Sequence, residues 1–361
     1  MRPLNPMSAL PPPFTVRAPG RINLIGGHID FHEGPVICCA IDRAVEIDVE
    51  PTHRSTINVI SADFGGTVSV ALGGSGPVSA EQPDWGRLVA AVVELAGDHQ
   101  IALAGFDAAV RSDLIVGGGL SSSAAFEVAL TYSITHRSGQ EMDHAARARW
   151  AQGAEHLATG VPCGLQDQMA SVLGGLVLLD CRDLSSRPLV LPAQVALVVI
   201  DSGVPRTLER SPWATRREES FADARALGVR VLRDAVGAQV GDRPRARHVV
   251  DEIARVWAAA DALDHGDIDR LGRLMVESHE SSRQLWQSST PELDVVVEEA
   301  LAAGAFGARL TGGGFGGCVV AICPADQSER MCADISERAS TRIGHGVRAE
   351  VLRSAPHAGV I

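Results

Sequence analysis

The chain predicts an α+β fold. Three observations carry that expectation. Short strand-like runs dominate the first part of the chain, longer helical stretches cluster behind them, and glycine-rich loops sit where strand-like text changes character. Strands and helices that fail to alternate argue against a doubly wound parallel sheet.

Taken in order, short strand-like runs alternate with turns and fall at 14–18, 36–41, 44–49, 55–61 and 67–72. The Gly/Ser/Pro stretch 73–77 reads as a loop. Helical periodicity begins near Trp85 and runs through Leu88, Val89, Val92, Val93 and Leu95. A strand at 101–110 precedes a glycine loop, and helices are expected at 121–138, 142–158 and 163–173. Strands at 175–180 and 195–201 follow. A domain boundary is placed close to the second, giving an N-terminal unit 14–195 and a C-terminal unit 196–361. The proline-rich lead 1–13 is expected to be disordered. The C-terminal unit reads as helices at 212–235, 247–287 and 291–304. A strand–loop–strand unit follows at 308–311 and 318–323, then a helix at 326–343 and a last strand at 347–352. No repeat with a period of about 20–50 residues is visible.

Bulk properties narrow the function classes. A length of 361 residues suits two domains that each bury a core, and 45% apolar residues is ordinary for a globular protein. A net charge of −12 disfavours nucleic acid or an anionic membrane as partner. The seven cysteines (38, 39, 163, 181, 318, 323 and 332) are scattered without a C-x-x-C pair, which fits reduced thiols and a cytoplasmic location. The N-terminus lacks the apolar stretch of a signal peptide, and no run reaches the ~18–20 apolar residues of a membrane helix.

The most informative stretch is Gly117-Gly118-Gly119-Leu120-Ser121-Ser122-Ser123-Ala124-Ala125, after the apolar run 114–116. Three glycines let the backbone approach a ligand closely. The serines then open a helix, whose unpaired N–H groups and positive dipole end form a natural seat for phosphate. A flexible Gly/Ser linker is the bland reading, but linkers are seldom wedged between a strand-like and a helix-like run. The sequence holds no lysine at all. A Walker loop, a protein-kinase site and a pyridoxal-phosphate site each need one, so all three are excluded. Nucleotide phosphates here would be met by backbone N–H groups, hydroxyls and arginine.

A second glycine loop, Thr311-Gly-Gly-Gly-Phe-Gly-Gly317, formally matches G-x-G-x-x-G. A dinucleotide fold wants that motif early and opening a helix, whereas here a strand-like run follows it. A tight turn packed against a ligand or another loop fits better. A third cluster spans Arg17 to Asp30, where Gly26 and Gly27 allow a sharp turn that points His28 and Asp30 into a cleft. Taken alone, a His and an Asp two apart in a loop are more often surface residues.

Together the three clusters resemble the GHMP small-molecule kinases, and among them the galactokinases. Gly20-Arg-Ile-Asn-Leu-Ile-Gly26 looks like the family's first motif, 117–125 like its phosphate loop and 311–318 like its third motif. Ala154-Glu-His156 and Gly160-Val-Pro-Cys-Gly-Leu-Gln-Asp-Gln168 look like the catalytic stretch. The stretches 274–279, 291–294 and 215–217 have parallels as well.

The resemblance implies an N-terminal ribosomal-S5-like domain that binds ATP and a C-terminal ferredoxin-like α/β plait, with the active site between them. It implies that Gly117, Gly118, Gly119, Leu120, Ser121, Ser122, Ser123 and Ala124 wrap the ATP phosphates, and that Ser123 and Glu155 hold Mg2+. Asp167 would stand beside the acceptor hydroxyl as base or electrostatic anchor, and Arg21 would steady the transferring group. Trp85 would lie near adenine. Gly27, His28, Asp30, Gly164 and Trp213 would line the acceptor site. Phosphoryl transfer needs positioning and charge neutralisation more than covalent chemistry, which suits this set. The bland readings are a helix cap for Asp167, a solvated acid for Glu155, a surface ion pair for Arg21 and a small buried hydrophobe for Cys163.

Two departures fall on the acceptor side. Galactokinases carry a glutamate where Gly27 stands, and a tyrosine where Trp213 stands. The expected activity is therefore Mg-ATP-dependent phosphorylation of a galactose-like sugar or polyol at its anomeric hydroxyl. The altered pocket points to a uronic acid, a pentose or a cyclitol as acceptor. The alternatives are a non-catalytic sugar- and ATP-binding sensor, or an acceptor of homoserine or mevalonate type. No nucleic acid or membrane partner is expected, and the protein is expected to be a monomer or a homodimer.

Overall fold

A computed structural model describes residues 10–73, 84–115, 117–205 and 212–361. Residues 1–9 of the expected lead, residues 74–77 of the expected loop and Val116 lie outside the described residues.

One eight-stranded sheet is built from β1 (Phe14–Ile25), β2 (Pro35–Pro51), β3 (Thr56–Ser61), β4 (Thr67–Ala71), β5 (Phe106–Ser112), β6 (Leu176–Asp180), β7 (Ser186–Pro188) and β12 (Gly359–Val360). Its order is β12-β1-β2-β5-β3-β4, with β6 also on β2 and β7 beyond it. A four-stranded antiparallel sheet has the order β11-β8-β10-β9, from β8 (Val195–Asp201), β9 (Gly307–Leu310), β10 (Cys318–Pro324) and β11 (Arg348–Leu352). The architecture is α+β.

Several boundaries differ from expectation for physical reasons. The runs 36–41 and 44–49 form a single strand, β2. Between them, Asp42 and Arg43 mark where β2 passes from its pairing with β6 (Pro35–Cys39) to its pairing with β5 (Val45–Pro51). Asp42 accepts the backbone N–H of Arg353 and Arg43 pairs with Glu350, so these charges stitch the two sheets together. Strand β1 does not stop at Ala18; it crosses Pro19 and Gly20 through a register shift and continues to Ile25. The strand before the phosphate loop starts only at Phe106 and ends at Ser112, so Leu114 and Ile115 are not laddered. Leu114 instead turns inward and packs over Gly20.

The helices are α1 (Asp84–Leu95), α2 (Ser122–Arg137), α3 (His144–Thr159), α4 (Gln166–Leu173), α5 (Trp213–Ala226), α6 (Pro244–His265), α7 (Ile268–Ser281), α8 (Pro291–Ala302) and α9 (Ser328–Ile343). The expected helix 247–287 is broken in two. Gly266 ends α6 in the left-handed region, and Asp267 caps α7 by accepting the Arg270 N–H. One π turn, Ser282–Trp286, extends α7. The expected helix 163–173 begins only at Gln166, which leaves 161–165 as a loop over the cleft.

The larger hydrophobic core lies between the eight-stranded sheet and α1–α4. It also takes in α6 and α7 through Val249, Val256, Leu271 and Met275. A smaller core joins α8 and α9 to the second sheet through Leu293, Val296, Leu310, Val319 and Ile335. The site lies between the two sheets, where β1, α2, α4 and the loop after β9 converge. Among the described residues no helix is long and apolar enough to cross a membrane.

Candidate active site

The phosphate loop is shaped by backbone. Gly117, Gly119 and Ser121 all take left-handed φ values (72°, 75° and 64°), and α2 starts immediately after them. No side chain caps α2, so its first N–H groups are left to an incoming anion. The second glycine loop packs directly on the first. A Cβ at Gly317 would stand 3.0 Å from the Gly118 carbonyl, and a Cβ at Gly118 would stand 3.2 Å from Cys318 Sγ. The loop-on-loop role expected for 311–317 is the one observed.

Arg21 joins this loop to the Asp167 carboxylate. Its Nη1 donates to the Gly119 carbonyl at 2.6 Å, while Nε and Nη2 make a two-point bond to Asp167 at 2.8 and 2.6 Å. The Ser121 hydroxyl donates to the same carboxylate at 2.6 Å, and the Gln166 amide at 3.2 Å. Burial pushes the Asp167 carboxyl up. Arg21, Ser121 and Gln166 more than offset this and hold it below the usual range, so it stays ionised at neutral pH. A third of the Asp167 side chain remains exposed, toward the cleft. Asp167 is therefore not a helix cap; its carboxylate is bonded to Arg21 and Ser121.

Beside the helix start, Ser123 donates to Glu155 at 3.1 Å. Glu155 is buried, and burial together with Asp167 raises its pKa. Glu127, one turn after Ser123, is fully buried and raised further, by burial and then by Glu155. Gln168 donates to Glu155 at 2.7 Å and to Glu127 at 3.4 Å. Acids crowded beside a hydroxyl oxygen form an environment that a hard divalent cation would relieve, although among the described residues no three acidic, His or Cys side chains are grouped to hold one. Cys163 corrects the sequence reading: it is half-buried, and its thiol donates to Glu155 at 3.2 Å. Burial and the neighbouring acids push that thiol far up, so it is no nucleophile.

On the other side of Asp167 lies a cleft of about 70 Å³ behind an open mouth, lined by Arg21, Gly27, His28, Asp30, Gly164, Asp167 and Trp213 among others. The expected acceptor residues are thus brought together. Asp30 lies so close to Gly164 that any Cβ at 164 would overlap its carboxylate. Burial, and then Asp167, raise the Asp30 pKa to about 6. His28 has φ 62° and stacks on Trp286 at 5.0 Å, while Trp213 meets Phe31 edge-on at 5.8 Å. Trp85 lies apart from the cleft. Its Nε1 donates to the Gly65 carbonyl, and its ring meets Phe126 of α2 at 6.1 Å.

Sequence reasoning missed four members of the site: Asn23, Gln166, Arg309 and Trp286. Asn23 donates to Gln166 at 2.6 Å, and Arg309 donates to the Asn23 side chain at 2.9 Å, so a polar chain runs behind the cleft to Asp167. Asn23 and Gln166 sit inside the quoted motifs and were within reach. Arg309 and Trp286 carried no signal, because nothing in the sequence relates positions 309 and 286 to position 27.

An open helix start, a clamped carboxylate and an enclosed polar cleft in one place are what transfer of phosphate to a small alcohol requires. Comparison with known proteins agrees. Residues 87–175 match the family model of the GHMP kinase N-terminal domain, residues 259–340 that of the GHMP kinase C-terminal region, and residues 8–51 the galactokinase galactose-binding signature. A protein named galactokinase from Roseiflexus sp. (strain RS-1) is 38% identical over 96% of this chain and 93% of its own length. One from Chloroflexus aurantiacus is 39% identical over 92% of this chain and 90% of its own. Among solved structures, Lactococcus lactis galactokinase complexed with galactose superposes with a TM-score of 0.89 at 24% identity, over 98% of this chain and 96% of that one. The chain belongs to the GHMP kinases, a family of ATP-dependent phosphotransferases. Within them it is a galactokinase-like sugar kinase.

Proposed function

We propose that this enzyme moves the γ-phosphoryl group of ATP to the anomeric hydroxyl of a galactose-like sugar whose terminal carbon differs from that of D-galactose. The observation that carries the reading is the Arg21–Asp167 clamp, tied on one side to the phosphate loop through Gly119 and open on the other to the cleft. In this reading Gly117 to Ala124 cradle the phosphates with backbone N–H groups, and Trp85 flanks the base. Ser123 and Glu155 would hold Mg2+, and the crowded acids beside them fit that cation. When bound, Mg2+ would neutralise charge on the transferring phosphate.

The acceptor oxygen forms its bond to phosphorus as the bond to the departing ADP oxygen breaks. Asp167, held ionised by Arg21, orients the hydroxyl and takes its proton. A carboxylate with a lowered pKa is a weak base, which suffices when the proton leaves late in a loose transition state. Arg21 faces the developing charge. Asp30, His28 and Gly164 shape the floor of the acceptor site, Trp213 and Phe31 its wall.

Support for an altered acceptor is the pairing of Gly27, which offers no side chain, with the Trp213–Phe31 wall. ATP consumption across galactose, galacturonate, arabinose, N-acetylgalactosamine and a cyclitol tests the reading. Turnover that favours one of the last four is expected. Selective use of galactose would remove the altered-acceptor part, and no turnover at high enzyme would remove the whole.

A further inference from the structure

Behind Gly27 lies a buried cation whose bonding is incomplete. Arg309, on β9, is fully buried. Its Nη1 donates to the Asn23 backbone and side-chain oxygens at 3.1 and 2.9 Å, but Nε and Nη2 have no hydrogen-bond partner among the described residues. Nη2 stands 2.6 Å from where a Cβ of residue 27 would be, so the guanidinium fills the place of a side chain there. Asn23 and Gly27 both line the cleft, which places Arg309 directly behind its wall.

The surrounding charges do not balance. Glu252 is fully buried, and its two oxygens are already engaged. Oε1 accepts from the Gly26 N–H at 3.0 Å and from Ser278, and Oε2 accepts from Arg255 at 2.7 Å. His248 bridges the Gly27 carbonyl and Ser281, and burial lowers its pKa to about 4, so it is neutral. Burial also pulls Arg309 down to about 10, against Glu252, which leaves it a cation at neutral pH. One carboxylate thus faces two guanidinium groups, leaving an excess of one positive charge in a dry region. An unpaired buried charge is costly, and a partner that supplies the missing carboxylate recovers that cost.

We propose that Arg309 is the specificity-determining residue of the acceptor site, and that its partner is a carboxylate on the sugar, seated over Gly27 and Asn23. The acceptor class is then a hexuronic acid rather than a neutral hexose or a pentose. This rests on the sugar-kinase reading above. Gly27 is what lets Arg309 stand there: with no side chain at 27, Nη2 comes up to the backbone of the cleft wall. A pentose has nothing at that position, and a hydroxymethyl group brings no charge.

The test compares kcat/KM for galacturonate, galactose and arabinose, with ATP, in three proteins. In the wild type, galacturonate is expected to exceed galactose at least tenfold. Arg309→Met is expected to lower use of galacturonate about 100-fold more than use of galactose, as loss of a buried charge pair does. Because this variant also strips donors from Asn23, Gly27→Glu serves as the second. It places a carboxylate against Arg309 and is expected to reverse the galacturonate-to-galactose preference while the fold, read by its thermal transition, is kept. Galactose or arabinose preferred by the wild type, or an unchanged preference in Gly27→Glu, would overturn the proposal and leave the sugar-kinase reading standing. Absence of turnover with all three sugars would overturn the proposal, and the sugar-kinase reading would fall only if N-acetylgalactosamine and the cyclitol failed as well.

Discussion

The two halves of the site are built in different ways. In the proposed function the phosphate half is one contiguous stretch, 117–124, shaped by backbone: left-handed φ values, an uncapped helix start and a second glycine loop pressed against it. The acceptor half is assembled from side chains of β1, the turn after it, the loop before α4, and α5, with Arg309 on β9 and Trp286 after α7 behind them. Backbone N–H groups bind any phosphate chain and tolerate changes of side chain. A pocket of convergent side chains discriminates, because an unmatched ligand leaves buried polar groups unpaired. One family can therefore hold the first half constant while the second changes with the acceptor.

The two halves meet at Asp167, and the largest expected effect is there. Asp167→Asn removes both the charge that answers Arg21 and the proton acceptor. A fall in kcat of about 1000-fold is expected, while an ATP analogue still raises the thermal transition. Activity within tenfold of wild type would break the assignment. Gly164→Ala isolates the acceptor half. Its Cβ overlaps Asp30, so acceptor KM is expected to rise about 100-fold with nucleotide affinity unchanged. Equal weakening of both ligands would show that the halves are not separable.

Glu155→Gln isolates the phosphate half, and a Mg2+ titration of activity should show a requirement about 10-fold to 100-fold higher. A smaller effect reads the acceptor half without substrate. Asp30 has a folded pKa of about 6 against an ordinary 3.8. Its contribution to stability is full below pH 4 and is lost as pH rises through 6, amounting to about 3 kcal/mol. The thermal transition of Asp30→Asn should match wild type near pH 4 and exceed it by a few °C at pH 7.5, provided other groups titrate alike in both. A gap that stays constant with pH would contradict that. The smallest expected effect is Trp85→Ala, about threefold on the KM for ATP and none on that for the sugar.

Legibility in the sequence followed the same division. The loop 117–125 could be read directly, because a phosphate cradle needs only neighbours in the chain. Asp167, Glu155 and Arg21 were legible through motifs; the structure bonds Arg21 directly to Asp167 and holds Glu155 through Ser123 and Gln168. Cys163 was rightly set aside as a nucleophile, but it is only half-buried and its thiol bonds Glu155, a placement that depends on where α4 begins. The runs 36–41 and 44–49 were read as two strands because Asp42-Arg43 looks like a turn. Their charges are instead satisfied by the C-terminal segment, more than 300 residues away in sequence.

The sequence by itself determined the α+β class, the phosphate loop, the exclusion of lysine-dependent chemistries and the membership of a kinase family. All of these rest on local periodicity or on contiguous motifs. Only the tertiary structure decided what stands behind Gly27. A glycine in the sequence says that a side chain is missing. That a buried guanidinium from β9 fills the gap with two donors unpaired follows from the packing of β9 and α6 against β1, and such long-range packing leaves no periodic trace in the chain.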